Sequence, residues 1–252
     1  MIGILQKRIE NIPCLIIEQT EKSKQPLPLI VYFHGFTSAK EHSLPLAYLL
    51  AESGYRVVLP DSHLHGEREG QITSIERQLA FWDIVMKNVQ ELNVIADYYK
   101  NENLLLDGQL GVGGTSMGGI TTAASLATYP WIKTAAILMG TPALTKFAEQ
   151  VSQAAINHHH LHVPVEDLQA LYDSLDAYDL AKHPEKLDQR PLLFWHGDSD
   201  PVVPYEQSHQ FYESAKSKNY GKHLKFISEK NRGHKVSRHA ILETVKWFKN
   251  HL

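Results

Sequence analysis

The ten residues Leu110-Gly111-Val112-Gly113-Gly114-Thr115-Ser116-Met117-Gly118-Gly119 run from an apolar strand pattern, through glycines and one serine, into the helical pattern Ile120 to Ala127. Leu104 to Leu106 extends the apolar run upstream. A strand that passes so abruptly into a helix needs residues without Cβ on both sides of the turn, because the two backbones cross at close range. The residue at the apex is then held in a strained conformation. Its hydroxyl stands above the carboxyl end of a sheet, beside the free N–H groups of a helix start. Gly114-Thr115-Ser116-Met117-Gly118 is G-x-S-x-G, a pattern whose meaning depends on this strand–turn–helix context. The five-residue pattern alone arises by chance in roughly one chain in twenty of this length. The flanking strand and helix are therefore what make Ser116 a candidate nucleophile.

Strand-like runs recur at 12–18, 29–33, 56–60, 110–112, 135–139, 191–196 and 224–228. Several are continuously apolar, as parallel strands covered by helices on both faces must be. Helical patterns lie between them at 44–53, 74–100, 116–128, 205–217 and 236–250. This alternation predicts an α/β fold, a mostly parallel doubly wound sheet with helices on both faces. No repeat, linker or composition shift divides the chain, so 1–252 reads as one domain. The interval 143–187 carries helical patterns and no strand, which predicts a small helical cap over the top of the sheet.

A chain of 252 residues can bury a full core. A formal net charge of −3 gives no reason to expect nucleic acid or an anionic membrane as partner. No apolar run approaches the roughly 20 residues of a membrane span. Met1 to Arg8 lacks the pattern of a signal peptide, and the single cysteine, Cys14, cannot form an internal disulfide. A cytoplasmic protein is the expectation. Cys14 lies in the apolar run 12–17 and reads as a core residue. The 15 histidines would turn the chain net positive below about pH 6.5.

The loops after the strands carry the remaining chemistry. Phe33-His34-Gly35-Phe36-Thr37-Ser38 follows the run 29–33, and its glycine lets backbone N–H groups turn toward a ligand. Asp61-Ser62-His63-Leu64-His65-Gly66-Glu67 follows 56–60. His63 and His65 could share an ion, but no second cluster at suitable spacing accompanies them, so the loop reads as a hydrogen-bonded rim and no metal is assigned. His158 to His162, with four histidines in five residues, lacks acidic or cysteine partners and reads as a solvated part of the cap. His196-Gly197-Asp198-Ser199-Asp200 places two aspartates in the turn after 191–196, where a carboxylate can orient an imidazole. Gly233-His234 lies between the last strand pattern and the last helix. Ser116, Asp200 and His234 thus occur in the chain order Ser…Asp…His, each just after a strand.

On these motifs, together with Val203-Pro204, the chain resembles an α/β-hydrolase over nearly its whole length. More narrowly, it is similar to small bacterial carboxylesterases of the branch that holds dienelactone hydrolases and prolyl oligopeptidase catalytic domains. The resemblance implies that Asp200, the second aspartate of the turn, is the acid and that Asp198 shapes the turn. It also implies an oxyanion hole from the backbone N–H groups of Phe36 and Met117. Dienelactone hydrolases proper carry cysteine where this chain has Ser116. Prolyl peptidases carry a propeller, for which the residues before Leu29 are too few. The expectation is a serine hydrolase of small, short-chain carboxylic esters with catalytic Ser116, Asp200 and His234. His34, Gly35 and His65 are assigned to substrate binding. No cofactor is expected, and the expected partner is a small-molecule ester, with a homodimer left open. A thioesterase, a small-peptide hydrolase or a non-catalytic ligand-binding homologue would present the same residues.

Overall fold

The structure is a computed structural model, described here for residues 1–159 and 163–252, with 158 and 159 as backbone only. The side chains of the histidine run His158 to His162 lie outside the described residues. In chain order the elements are β1 (Ile2–Ile9), β2 (Ile12–Gln19), β3 (Leu27–Phe33), α1 (Leu44–Glu52), β4 (Arg56–Pro60), α2 (Ser74–Leu79) and α3 (Phe81–Asn101). They continue with β5 (Leu105–Thr115), α4 (Met117–Thr128), β6 (Thr134–Leu138), α5 (Leu144–His159), α6 (Val165–Asp176), β7 (Leu192–Gly197), α7 (Tyr205–Ala215), β8 (Leu224–Glu229) and α8 (Arg238–His251).

The eight strands form one sheet in the order β1-β2-β4-β3-β5-β6-β7-β8. β1 pairs antiparallel with β2 and β2 antiparallel with β4, while β4, β3, β5, β6, β7 and β8 run parallel to their neighbours. The expected doubly wound sheet is present. β3 shows why its central strands read as unbroken apolar runs. Leu29, Val31 and Phe33 point to one face, against α3 and α4 through Val85, Leu92, Ile120 and Ala123. Ile30 and Tyr32 point to the other, against α1 and α8 through Leu46, Leu50, Trp247 and Phe248. Because successive side chains alternate, a strand covered on both faces must be apolar at every position.

Two elements differ from the sequence reading. β1 carries no strand pattern, because it is an edge strand with Ile4 and Leu5 about half exposed; its partner β2 holds it through a hairpin whose turn puts Glu10 at φ 53°. The helix expected over 74–100 is two helices. Thr73 caps α2 with Glu76, and the chain bends at Ala80 before α3 begins. That bend lets Phe81 and Trp82 turn toward Phe147 of α5, with ring centroids 6.5 and 6.3 Å apart. The interval 143–187 holds α5, α6 and a short 3-10 turn. Among the described residues, no helix is long and apolar enough to cross a membrane.

Candidate active site

At the turn between β5 and α4 the strand and the helix pass in direct backbone contact. Ser116 sits at its apex with φ 56° and ψ −116°, a conformation that costs on the order of 1–3 kcal/mol and persists only under external constraint. The constraint is visible atom by atom. A Cβ on Gly114 would fall 2.2 Å from the backbone of Gly118, and one on Gly118 would fall 2.1 Å from the Phe33 carbonyl oxygen. Ser116 N–H donates to Leu138 O of β6 at 2.9 Å, which pins the apex to the neighbouring strand. Met117, the next residue, opens α4, where an N–H has no carbonyl of its own helix to bind.

His234 reaches this apex from the loop after β8. Its Nε2 lies 2.8 Å from Ser116 Oγ, and its Nδ1–H donates to Asp200 Oδ2 at 2.7 Å. The loop that carries it is stitched to the turn after β7. Asn231 N–H donates to Asp198 Oδ1 at 2.7 Å, and Ser199 N–H donates to Arg232 O at 3.0 Å. Gly197 is required here, since a Cβ would meet Arg232 O at 2.3 Å. Asp198 is therefore turned toward the loop backbone, and Asp200 toward the imidazole.

The Asp200 side chain is fully buried, and every direction around its carboxylate is used. Oδ1 accepts from Val202 N–H at 2.8 Å and Val203 N–H at 3.0 Å. Oδ2 accepts from His234 and lies 3.2 Å from Nε2 of His196. Burial alone would favour the neutral acid, but hydrogen bonds from His196, His234 and Val202 outweigh it and hold the carboxyl well below the ordinary carboxylate range. His196 had no role in the sequence reading. Its position four residues before Asp200 was the available signal, but which group it meets depends on the turn.

On the other side of Ser116 stands the loop after β3. Gly35 lies against the apex, where a Cβ would be 3.6 Å from Ser116 Cβ. Phe36 follows, its ring edge-on to Phe81 at 5.5 Å and to His65 at 5.3 Å. A cleft of about 230 Å³ opens beside Gly35 and Thr115, bordered by Tyr32, His34, Ser38, His42 and Val236. The larger hollow, about 470 Å³, lies between Glu10 and the α3 residues Lys87, Asp97 and Asn101, and includes none of these residues.

His34 and His65, expected at substrate binding, commit their ring nitrogens to backbone. Each is 1% exposed. His34 donates from Nδ1 to Gly35 O at 2.8 Å and accepts Ser62 N–H on Nε2 at 3.0 Å. His65 donates from Nδ1 to His63 O at 2.9 Å and accepts Thr37 N–H on Nε2 at 3.0 Å. With both ring nitrogens committed to backbone, neither has a polar atom left for a ligand. Gly35 keeps its place at the site as backbone. Asp61 likewise faces inward, fully buried against the Lys40 ammonium at 2.5 Å, and accepts the N–H groups of Lys40 and Glu67. Among the described residues, no three His, Cys, Asp or Glu side chains converge as a metal ion would require.

A sheet of this order, with serine at a strained strand–helix turn and aspartate and histidine on the loops after later strands, defines an α/β-hydrolase. Residues 45–252 match the model of the prolyl oligopeptidase family, and the chain belongs to that family. It is 44% identical over 255 residues to the Bacillus subtilis protein named "Putative esterase YitV", and 30% identical over 252 residues to Esterase YjfP of Escherichia coli, with 100% of both chains covered in each case. Among solved structures, TT1662 from Thermus thermophilus superposes with a TM-score of 0.75 at 20% identity, covering 99% of this chain and 98% of that one. Esterase Pf2001 from Pyrococcus furiosus superposes at 0.67 with 16% identity, over 100% and 93%. At those identities the two structures speak for the fold.

Proposed function

We propose that the protein hydrolyses small carboxylic esters through an acyl-enzyme on Ser116. The observation that carries the proposal is the continuous relay from Ser116 Oγ to His234 Nε2 and from His234 Nδ1 to Asp200 Oδ2, at 2.8 and 2.7 Å. His234 Nε2 takes the serine proton as Oγ bonds to the acyl carbon, and Asp200 fixes the tautomer and stabilises the imidazolium. The electron pair of the carbonyl moves to its oxygen, which accepts from the N–H groups of Phe36 and Met117, one such donor being worth about 3–4 kcal/mol. The tetrahedral species collapses with loss of the alcohol, which receives the proton from His234. Water then attacks the acyl carbon with His234 again as base, and as the acyl–Oγ bond breaks the proton passes from His234 to Ser116 Oγ and the acid leaves. No cofactor enters these steps.

Support for esters comes from the two full-length relatives whose names carry esterase. Support for small substrates comes from the cleft of about 230 Å³ beside Gly35 and Thr115 and, on the Phe36 side, from α5, whose Phe147 meets the Phe81 ring that packs on Phe36 and which is read as part of a cap. A cytoplasmic setting fits Cys14, a buried thiol that burial pushes up to about 12, so that it stays protonated and inert.

The test is a set of initial rates on p-nitrophenyl acetate, butyrate and octanoate and on an acyl thioester, with wild type and Ser116→Ala. Turnover of acetate and butyrate ahead of octanoate, and a loss of about a thousandfold or more in the variant, are expected. Faster thioester cleavage would move the assignment to a thioesterase. A folded wild type that turns over none of them would make the protein a ligand-binding homologue.

A further inference from the structure

We propose that His34 and His65 form a crossed pair of imidazole clamps that positions the Phe36 N–H for the oxyanion, which makes both of them positioning residues for the reaction. The proposal rests on the reading of Phe36 as an oxyanion donor.

The geometry is reciprocal. His34 belongs to the loop after β3 and accepts an N–H of the loop after β4, from Ser62. His65 belongs to the loop after β4 and accepts an N–H of the loop after β3, from Thr37. The rings lie against each other, centroids 5.4 Å apart. Each clamp also fixes its own loop, through Nδ1–H to Gly35 O in one case and to His63 O in the other. Phe36 is the residue between Gly35, held by the first clamp, and Thr37, held by the second. Asp61 adds a third tie between the same loops, through the Lys40 and Glu67 N–H groups and the Lys40 ammonium.

The backbone shows what the clamps hold. Thr37 has φ 61° and Leu64 has φ 59°. A β-branched residue such as threonine avoids that left-handed region, and such strain persists only where the surroundings over-determine it. One strained residue stands in each of the two crossing loops, beside the hydrogen bonds that cross them. The peptide plane that carries the Phe36 N–H is the one whose oxygen, Gly35 O, His34 holds, and the next plane, which carries the Thr37 N–H, is held by His65. Without those bonds both loops would relax toward ordinary conformations, and the first plane would lose the neighbour that fixes it.

A clamp of this kind works only with neutral rings, because a protonated Nε2 would confront an N–H. Burial pushes His34 down to about 4 and also lowers His65. The charged and titratable neighbours are His42, His65 and Asp61 around His34, and Arg77, Glu69 and Asp61 around His65. They carry both signs, so removal from water is the leading cause for each ring.

The test compares three replacements of His65 by kcat and KM for p-nitrophenyl butyrate, with folding checked by circular dichroism. Glutamine carries its side-chain oxygen to the depth of Nε2, asparagine only to the depth of Nδ1, and leucine has none. His65→Leu and His65→Asn should lose about ten- to a hundredfold in kcat with KM within about twofold, because an oxyanion donor acts on the transition state and not on ground-state binding. His65→Gln should recover at least about fivefold of that loss. A leucine variant with wild-type kcat would overturn the proposal, as would a change confined to KM or equal kcat values for glutamine and asparagine. Should leucine prevent folding, the glutamine–asparagine comparison decides alone. Ser116→Ala, run in parallel, separates the two levels. If it remains active, the reading of the site fails; if it is inactive while all His65 variants turn over normally, only the clamp fails.

Discussion

Replacing Asp200 by asparagine swaps one carboxylate oxygen for an NH2 group and leaves the volume unchanged, and the structure decides which oxygen is lost. Oδ1 accepts two backbone N–H groups, from Val202 and Val203, so an NH2 group there would face two donors. The amide must therefore keep its oxygen on that side and turn NH2 toward His234 Nδ1 and His196 Nε2. Val203 O, 3.1 Å from His196 Nε2, can still receive the His196 proton, so that ring is not orphaned. His234 has no such alternative. To accept from the amide, it must carry its proton on Nε2, facing Ser116 Oγ, where it cannot act as base. This wrong-tautomer state predicts a fall in kcat of about 10⁴, or about 5 kcal/mol of transition-state stabilisation. Asp198→Asn is the control. Its Oδ1 accepts Asn231 N–H and the Ser199 hydroxyl, and an amide oxygen can keep the backbone bond, so the cost should be about 1 kcal/mol of stability with little effect on kcat. The assay is kcat for p-nitrophenyl butyrate at pH 8, with thermal melts to confirm folding. Equal losses, or a larger loss in the Asp198 variant, would refute the assignment of the two carboxylates.

Gly114→Ala drives a Cβ to 2.2 Å from the Gly118 backbone and should cost about 3 kcal/mol or leave the protein insoluble, as read by urea denaturation. Gly108→Ala, at φ 69° but in open space, should cost only about 1 kcal/mol. Asp61→Asn leaves the Lys40 ammonium, 2% exposed, with only the half-exposed Glu41 and Glu67 for company, and a loss of about 3 kcal/mol is expected; a melt unchanged from wild type would show that Glu41 and Glu67 suffice to neutralise Lys40. Stability should also fall as pH drops from 7 toward 4. His34 titrates at about 4 in the folded protein and near 6.5 when unfolded, so the unfolded chain binds the proton first, and the gap is worth about 3 kcal/mol. The lowered His65 acts in the same direction. Urea midpoints that stay level between pH 7 and 4.5 would contradict the burial of these rings as neutral groups.

The legible part of the fold was the part in which each residue answers to its own strand or helix. β3 and, from Val57 onward, β4 were readable because burial on both faces demands apolar residues, and the Ser116 turn because Gly114 and Gly118 are fixed by backbone contact alone. β1 was not readable. An edge strand with exposed Ile4 and Leu5 depends on the pairing offered by β2, and pairing leaves no pattern in the strand that receives it. The break at Ala80 was hidden in the same way, since Ser74 to Lys100 carries a helical pattern throughout while the bend serves contacts made by Phe81 and Trp82 with α5.

Within the site, four histidines present nearly the same local sequence: His34-Gly35, His65-Gly66, His196-Gly197 and Gly233-His234. Each lies at or after the carboxyl end of a strand. Residue type, neighbour and position therefore do not tell a base from a brace. Exposure does. His34, His65 and His196 are each 1% exposed, and their imidazoles meet backbone or the buried Asp200 carboxylate. The His234 side chain is 19% exposed, bound to Asp200 on one nitrogen and to the serine hydroxyl on the other. A general base must exchange its proton with groups that arrive from solvent, so it has to keep one side open. A positioning imidazole must hold one tautomer against solvent, so it has to be closed on all sides. On the proposed reading, the same chemical group meets opposite requirements around one serine. Only the packing of the loops around each ring decides which requirement it fulfils, and that packing is a property of pairs of loops distant in sequence.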